Sequence, residues 1–137
     1  MKINYKTSRK NFEKLLKSRC PNTFKLLNEP GNGSPREPIQ YGTEIASGWY
    51  DAMFSCALKL ECLKTDLIVV QLKEKFGTVC IYTEGGNEAT RKVILEAEQE
   101  INKICENCGA FTGVLRTSRS WWRTLCDVCA KWPVKND

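Results

Sequence analysis

The chain contains no histidine, and this absence excludes several classes of enzyme. Histidine is the side chain that most readily exchanges protons near neutral pH. Without it, neither a Ser-His-Asp triad nor a Cys-His nucleophile pair can form. Zinc enzymes that depend on a histidine ligand or a histidine base are excluded for the same reason.

Long apolar segments are also absent. No apolar run approaches the roughly 20 residues that a bilayer-crossing helix needs, so the sequence predicts no association with a membrane. Residues 1–10 are basic but lack the apolar stretch of a secretory signal. We therefore expect a cytoplasmic protein.

Recognisable catalytic motifs are the third absence. The sequence has no phosphate-binding loop, no dinucleotide fingerprint and no carboxylate pair at a spacing that suits acid–base chemistry. One enzymatic alternative is a metal held by carboxylates such as Glu74 and Glu84, although their spacing gives it no support. We predict that the protein is not an enzyme.

The residues that are present have the composition of an ordinary globular domain. The 137 residues are 42% hydrophobic and 27% charged, which allows one domain with a modest core. The net charge is +5, and residues 1–30 carry eight Lys and Arg side chains against two Glu. This basic end favours an anionic partner, but a solvated helix face explains it as well.

The eight cysteines are the most informative residues in the chain. Cys105 and Cys108 are separated by two residues, and Cys126 and Cys129 repeat this spacing after an interval of seventeen residues. Two such turns can direct four thiolates at one point and complete a tetrahedral zinc site. Because four thiolates close the coordination shell, we predict that zinc is a structural cofactor. An iron–sulfur cluster, two disulfides and unrelated surface thiols are the alternatives.

Hydrophobic periodicity predicts an α+β fold in which helices pack on a small antiparallel hairpin. We expect this core to cover residues 1–104, including a basic N-terminal helix, and a zinc module integrated into the same domain to cover residues 105–137. The predicted helices cover residues 8–28 with a break at Pro21, 44–63 and 88–104, and the predicted strands cover residues 67–73 and 78–83. Residues 28–38 are predicted to form a loop.

The predicted hairpin carries the first group of candidate ligand-binding residues, Lys73, Lys75 and Phe76. Alternation along the strand places the two lysines on the same face as Gln71, and a two-residue turn would set Tyr82 opposite Gln71. This face is either a polar surface that meets a ligand or a solvated one.

The second group of candidates lies between the cysteine pairs and consists of Arg116, Arg119, Trp121, Trp122 and Arg123. Arginine beside tryptophan suits stacking on bases and pairing with phosphate. Alternatively, the tryptophans pack the module against the core while the arginines are solvated. Alternation along a strand would bury one tryptophan and expose the other.

Other residues are expected to be buried. The Gly48-Trp49-Tyr50 segment begins the central helix and is more typical of a core anchor than of a stacking platform. Cys56, Cys62 and Cys80 are predicted to be buried as small apolar side chains.

The order of parts in the zinc module resembles that of a treble-clef zinc finger. A knuckle is followed by a hairpin-like stretch and by cysteines that open a short helix over residues 126–132. Some treble clefs are nucleases of the HNH type, which depend on a catalytic histidine that this chain lacks.

Three segments together resemble a group of small phage and prophage proteins. They are residues 48–53 (GWYDAM), 70–82 (VQLKEKFGTVCIY) and 105–127, which contain a Gly-Trp helix start, a KEKFG hairpin and the two knuckles. The similarity extends over roughly residues 44–131. Relatives often place histidine where this chain has Cys129, and a thiolate replaces imidazole as a zinc ligand. The resemblance implies a phage or mobile-element origin in a bacterial cytoplasm and little about mechanism.

These observations predict a zinc-stabilised accessory protein that binds an anionic ligand, either nucleic acid or a nucleotide immune signal, and that antagonises host defence. The alternative is an adaptor or inhibitor that binds a host protein through exposed tryptophans. The sequence is also compatible with a homo-oligomer.

Overall fold

A computed structural model of the chain describes residues 8–27, 43–118 and 121–131. Within these ranges the chain forms four α-helices and two antiparallel hairpins, which confirms the predicted α+β class. Every helix in the described ranges is too short or too polar to cross a lipid bilayer. The loop predicted over residues 28–38 lies outside the described residues.

Helix α1 (Arg9–Arg19) begins at Ser8, whose hydroxyl caps the first turn. It ends just before Pro21, in agreement with the predicted break, because proline has no amide hydrogen to continue the helix. The ring of Phe12 on its buried face stacks on Tyr50 with centroids 4.1 Å apart. This contact joins α1 to the central helix.

The central helix, α2 (Tyr50–Cys62), begins later than predicted. A 3₁₀ turn over Ser47–Trp49 precedes it. The predicted start at Glu44 is wrong because the backbone of Glu44 is hydrogen-bonded to the neighbouring strand. Its amide donates to the carbonyl of Leu72, and its carbonyl accepts from the amide of Glu74, both at 2.9 Å.

Strands β1 (Ile68–Lys75) and β2 (Thr78–Glu84) form the first hairpin. The turn is the two-residue Phe76–Gly77 segment, with φ values of +53° and +82°, as type I′ turns require. Gln71 lies opposite Tyr82, as predicted. The outer face of this hairpin therefore carries Gln71, Tyr82 and the side chains at alternate positions from them along each strand.

Helix α3 (Glu88–Ile101) starts with a capping box between Asn87 and Thr90. It ends three residues before the predicted limit at residue 104. The residue after it, Asn102, accepts a hydrogen bond from the amide of Val79 at 3.0 Å. This bond fixes the end of the helix against β2.

The core lies between α1, α2, α3 and the inner face of the first hairpin. Its largest fully buried side chains are Trp49, Phe12, Phe24, Phe54, Leu16, Met53, Leu72, Ile101 and Val69. The prediction that Trp49 anchors the core is confirmed. Cys56 is buried as predicted, whereas the prediction is wrong for Cys62 and Cys80. Cys62 ends α2 at the surface, and Cys80 lies on the outer face of β2.

The C-terminal segment from Cys105 to Lys131, which we call the cysteine module, forms the second hairpin and a short helix. Its elements are β3 (Val114–Ser118), β4 (Trp121–Leu125) and α4 (Asp127–Ala130). The order of knuckle, hairpin and helix is the treble-clef-like order that the sequence predicts.

Candidate metal centre and the adjoining groove

The first knuckle is a tight turn that begins at Cys105. The amide of Cys105 donates to the carbonyl of Ala110 at 2.8 Å, and the amide of Gly109 donates to the carbonyl of Cys105 at 2.9 Å. Gly109 has a φ of +84°, in the left-handed region that glycine adopts without strain. The turn leaves the thiols of Cys105 and Cys108 close together.

The second knuckle lies where β4 meets α4. Cys126 is the N-cap of α4, and its sulphur accepts a hydrogen bond from the amide of Cys129 at 3.4 Å. The sulphur of Cys129 accepts from the side-chain amide of Asn107 at 3.3 Å. Each donor favours the thiolate form of the sulphur that accepts from it. For Cys129, the bond from Asn107 is outweighed by burial and the neighbouring thiols together, and the pKa is raised.

The four thiol groups form one cluster. The sulphur atoms of Cys105, Cys108, Cys126 and Cys129 all lie within 4.8 Å of one another. Those of Cys108 and Cys126 are 3.7 Å apart, which is too long for a disulfide of about 2.05 Å. Tetrahedral ligands about 2.3 Å from a zinc ion would be roughly 3.8 Å apart. The cluster can therefore hold one metal ion, and its geometry does not fit unrelated surface thiols.

The thiols of the cluster differ in acidity. The amide of Cys129 lowers the pKa of Cys126 to about 7, whereas burial raises the pKa of Cys108 to about 12. A bound metal ion would reverse the second shift, because a coordinating thiol is deprotonated outright.

The Gly-Trp motif joins the cysteine module to the core. The amide of Gly48 donates to the carbonyl of Glu106 at 2.8 Å. A Cβ atom on Gly48 would lie 2.3 Å from the carbonyl oxygen of Cys105, so only glycine permits this approach. The indole of Trp49 donates to the carbonyl of Ile104 at 2.9 Å.

A second junction joins the tips of the two hairpins. The hydroxyl of Thr124, which is fully buried, donates to the carbonyl of Gly77 at 2.7 Å. The amide of Gly77 in turn donates to the carboxylate of Glu74 at 2.6 Å. Gly77 packs against a side-chain methyl of Leu115, and its φ of +82° lies in the left-handed region that favours glycine.

An open groove of about 460 Å³ lies beside this junction. It is lined by Lys75, Phe76, Thr78, Cys80, Leu115 and Trp122. Phe76 is 68% exposed and Trp122 is 39% exposed, and the ammonium of Lys75 lies 6.0 Å from the centre of the Phe76 ring. Lys73, which pairs with Cys80, shares the same face of the hairpin. The groove therefore combines two aromatic rings with neighbouring positive charge.

The structure brings one part of the predicted ligand-binding set together and not the other. Lys73, Lys75, Phe76 and Trp122 lie at or beside the groove. Arg116 and Arg123 lie on the opposite face of the second hairpin from Trp122, as the strand register shows. Arg119 lies outside the described residues.

The two described arginines of the cysteine module bind groups within the module. Arg116 donates from Nε to the carbonyl of Leu125 at 3.0 Å and pairs with Asp127 at 2.8 Å. Arg123 pairs with the carboxylate of Glu106 at 3.3 Å. Their charges are partly neutralised by these partners.

Both tryptophans of β4 are exposed, which overturns the prediction that one of them is buried. Trp121 is 60% exposed and Trp122 is 39% exposed. The buried part of β4 is its C-terminal end, at Thr124 and Leu125, where the strand meets the first knuckle. The predicted alternation of buried and exposed side chains fails because only that end of the strand packs against another part of the chain.

Two site residues were missed by the sequence analysis, Glu106 and Thr124. Glu106 is 5% exposed, and its carboxylate accepts from the amide of Thr124 at 3.0 Å. Burial raises the pKa of Glu106, and the nearby Arg123 opposes this shift. A carboxylate directly after a knuckle cysteine was the available signal, but nothing in the spacing identified its partner.

Comparison of the chain with protein-family models, with curated proteins and with solved structures gives no significant match.

Proposed function

We propose that this is a non-enzymatic binding protein whose cysteine module is stabilised by zinc. Four thiolates with tetrahedral spacing suit zinc and leave no open position for catalysis. Elemental analysis of the purified protein is expected to give one zinc per chain. Visible absorption near 400 nm with iron in place of zinc would instead identify an iron–sulfur cluster, which uses the same ligands.

We further propose that the groove binds single-stranded nucleic acid. The observation that carries this proposal is the pair of exposed rings, Phe76 and Trp122, beside Lys73 and Lys75. Stacking of a base on an aromatic ring contributes about 1–3 kcal/mol, and it needs an unpaired base. The lysines would meet phosphates, so affinity should fall as salt rises.

A free nucleotide offers the same chemistry, a base plus phosphate. The resemblance to phage proteins favours a role in which the bound nucleic acid or nucleotide belongs to a host defence system. The binding experiment therefore needs separate arms for the two ligand types.

Fluorescence anisotropy at low salt would measure binding of a labelled 12-nucleotide oligo-dT and of a labelled 12-base-pair duplex. Calorimetry under the same conditions would measure binding of a cyclic dinucleotide. The proposal expects the single strand to bind more tightly than the duplex. Preference for the dinucleotide would assign the groove to nucleotide signals.

Two matched variants make this test specific. Trp122→Ala should weaken oligo-dT binding about 5- to 150-fold, the equivalent of one stacked base. Trp121→Ala removes a more exposed ring from the opposite face and should leave the affinity unchanged. If none of the three ligands binds at low salt, or if the two variants lose affinity equally, the groove is refuted as the binding site.

A protein partner is the second candidate. Trp121 and Phe111 are 60% and 72% exposed and do not line the groove, and tryptophans are common anchors in protein interfaces. A partner captured from a bacterial lysate should survive nuclease treatment and be lost with Trp121→Ala. Loss on nuclease treatment alone would favour the nucleic-acid function.

A further inference from the structure

We infer that Thr124 is a positioning residue that couples the metal centre to the groove, so that metal and nucleic acid bind cooperatively. Both ligands in this inference, the metal ion and the nucleic acid, rest on the proposed function. The structural half rests on contacts among described residues.

Glu106, next to the metal centre, is hydrogen-bonded to both the amide and the carbonyl of Thr124. Thr124 lies two residues before Cys126, and Glu106 directly follows Cys105. The amide of Glu106 donates to the carbonyl of Thr124 at 2.9 Å, and the amide of Thr124 donates to the Glu106 carboxylate at 3.0 Å. A metal ion that binds both cysteines therefore also holds Thr124 in place.

Thr124 in turn fixes the position of one groove wall against the other. Phe76 belongs to the first hairpin and Trp122 to the second. Among the described residues, the bond from the Thr124 hydroxyl to the carbonyl of Gly77 is the one hydrogen bond that joins the two hairpins. Gly77 is adjacent to Phe76, and Thr124 is two residues from Trp122. The distance between the two rings thus depends on this bond, together with the packing of Gly77 against Leu115.

Coupling of this kind is reciprocal. If the metal orders the groove, a ligand that bridges the two walls must stabilise the metal-bound form by the same factor, which is typically about 5- to 150-fold. Bound nucleic acid is therefore expected to slow the loss of metal.

The test compares the zinc-loaded full chain with Thr124→Val, which keeps the shape but lacks the hydroxyl, and with Thr124→Ser, which keeps the hydroxyl. The measurements are zinc content, affinity for the 12-nucleotide oligo-dT, and the rate of zinc transfer to a chelator with and without the oligonucleotide. In the wild type and Thr124→Ser, the oligonucleotide should slow zinc transfer at least 5-fold.

Thr124→Val should retain one zinc, bind oligo-dT at least 5-fold more weakly and show no slowing. Because a purely structural role would not remove the effect of the oligonucleotide on zinc transfer, this readout separates coupling from general destabilisation. Slowing that persists in Thr124→Val at wild-type strength would overturn the inference.

A measurement without oligonucleotide keeps the coupling testable independently of the proposed nucleic-acid binding. Hydrogen exchange at the amides of residues 74–79 should increase when zinc is removed from the wild type, and in Thr124→Val it should be raised with zinc still bound. If the wild type fails to bind oligo-dT, the proposed function is wrong while this measurement still decides the coupling. Exchange at these amides that is indifferent to zinc in the wild type refutes the coupling, whether or not the variant retains its metal.

Discussion

The helical core and the cysteine module are stabilised by different means. The core buries aromatic and aliphatic side chains from three helices and a hairpin. Among the described residues of the cysteine module, the buried hydrophobic cluster contains Leu125 and three of the four cysteines, with Cys108, Ala110 and Ala130 packed beside it. Most of the large apolar side chains of the module are exposed, namely Phe111, Val114, Leu115, Trp121, Trp122 and Val128.

This difference explains where a binding surface can form. A segment with so little buried apolar area cannot fold by hydrophobic burial alone, and a metal ion bound by the four cysteines would supply the missing stability. Because the module does not need its aromatic rings for a core, it can present them to a ligand. The predictions below test how far the two regions are independent, beginning with the largest expected effect.

Removal of the metal should separate the two regions most clearly. Structural zinc contributes an apparent free energy of about 10–16 kcal/mol to the folding of small zinc modules. After chelation we expect residues 105–131 to lose hydrogen-exchange protection, whereas α2 and α3 retain theirs.

Returning zinc should restore the protection, and Cys62→Ser, which changes an exposed cysteine, should behave as the wild type. Equal loss of protection in α2 and in the module would show that the two regions unfold as one unit.

Truncation of an aromatic side chain in the core should destabilise the helical core and leave the cysteine module intact. Phe54 is 1% exposed in the middle of α2, and Phe54→Ala should lower the free energy of unfolding by about 3–5 kcal/mol. Urea unfolding followed by helical circular dichroism measures this change, with Leu95→Ala on the exposed side of α3 as control. The zinc content at low temperature should stay at one per chain. Loss of zinc in this variant would show that the stability of the cysteine module depends on the helical core.

The carboxylate of Glu61 gives the core a pH-dependent contribution. Burial would raise the pKa of Glu61, but hydrogen bonds from the amides and side chains of Thr23 and Asn22 outweigh it and lower the pKa below the ordinary 4.5. A lowered pKa in the folded state means that this contribution is complete above pH 4.5 and is lost as the pH falls through the folded-state pKa.

Glu61→Gln should therefore destabilise the protein by about 1.5–3 kcal/mol at pH 7, where an ionised acceptor is lost. The difference between variant and wild type should shrink below pH 4.5. Urea unfolding of both proteins across this range measures it, and because metal loss at low pH affects both, it does not enter the difference. A difference that does not change with pH would contradict the assignment.

The ion pair between Arg116 and Asp127 should matter least. The Asp127 side chain is 86% exposed, and exposed pairs contribute about 0.2–1 kcal/mol. Asp127→Asn removes the charge of this pair and leaves the bond from Arg116 to the carbonyl of Leu125. It should therefore change the zinc-loaded stability by less than about 1 kcal/mol, similar to Glu88→Gln at the exposed Arg91 pair of α3. Loss of zinc in Asp127→Asn would show that surface charge, and not only the thiolates, stabilises the module.

The local features of the fold could be predicted from the sequence because they depend on neighbouring residues. Repeated apolar spacing identified α1 and α3, and the Phe76–Gly77 turn fixed the register of the first hairpin. The two Cys-x-x-Cys spacings identified the four clustered thiols. The signals for the helices, for the turn and for each knuckle are local, and the matched spacing of the two cysteine pairs predicts that the knuckles meet across seventeen residues.

The errors arose where a distant contact decided the outcome. Glu44 lies at the start of a segment with helical apolar spacing, but its backbone pairs with Leu72 and Glu74 of a strand that is far away in the sequence. The bond between Thr124 and Gly77 spans 47 residues, and neither residue type signals the other. Exposure of both tryptophans follows from how little of β4 is covered, which no pattern within the strand reveals.

The turn conformation of Phe76 has a consequence for binding entropy. A φ of +53° is unusual for a bulky residue, and the left-handed region costs such a residue about 1–2 kcal/mol. Asparagine is favoured at this position of a type I′ turn. The ring of Phe76 is thus presented from a turn whose next residue, Gly77, is hydrogen-bonded to both Glu74 and Thr124. Under the proposed function, a base that stacks on this ring would not have to order the turn first, and little conformational freedom would be lost on binding.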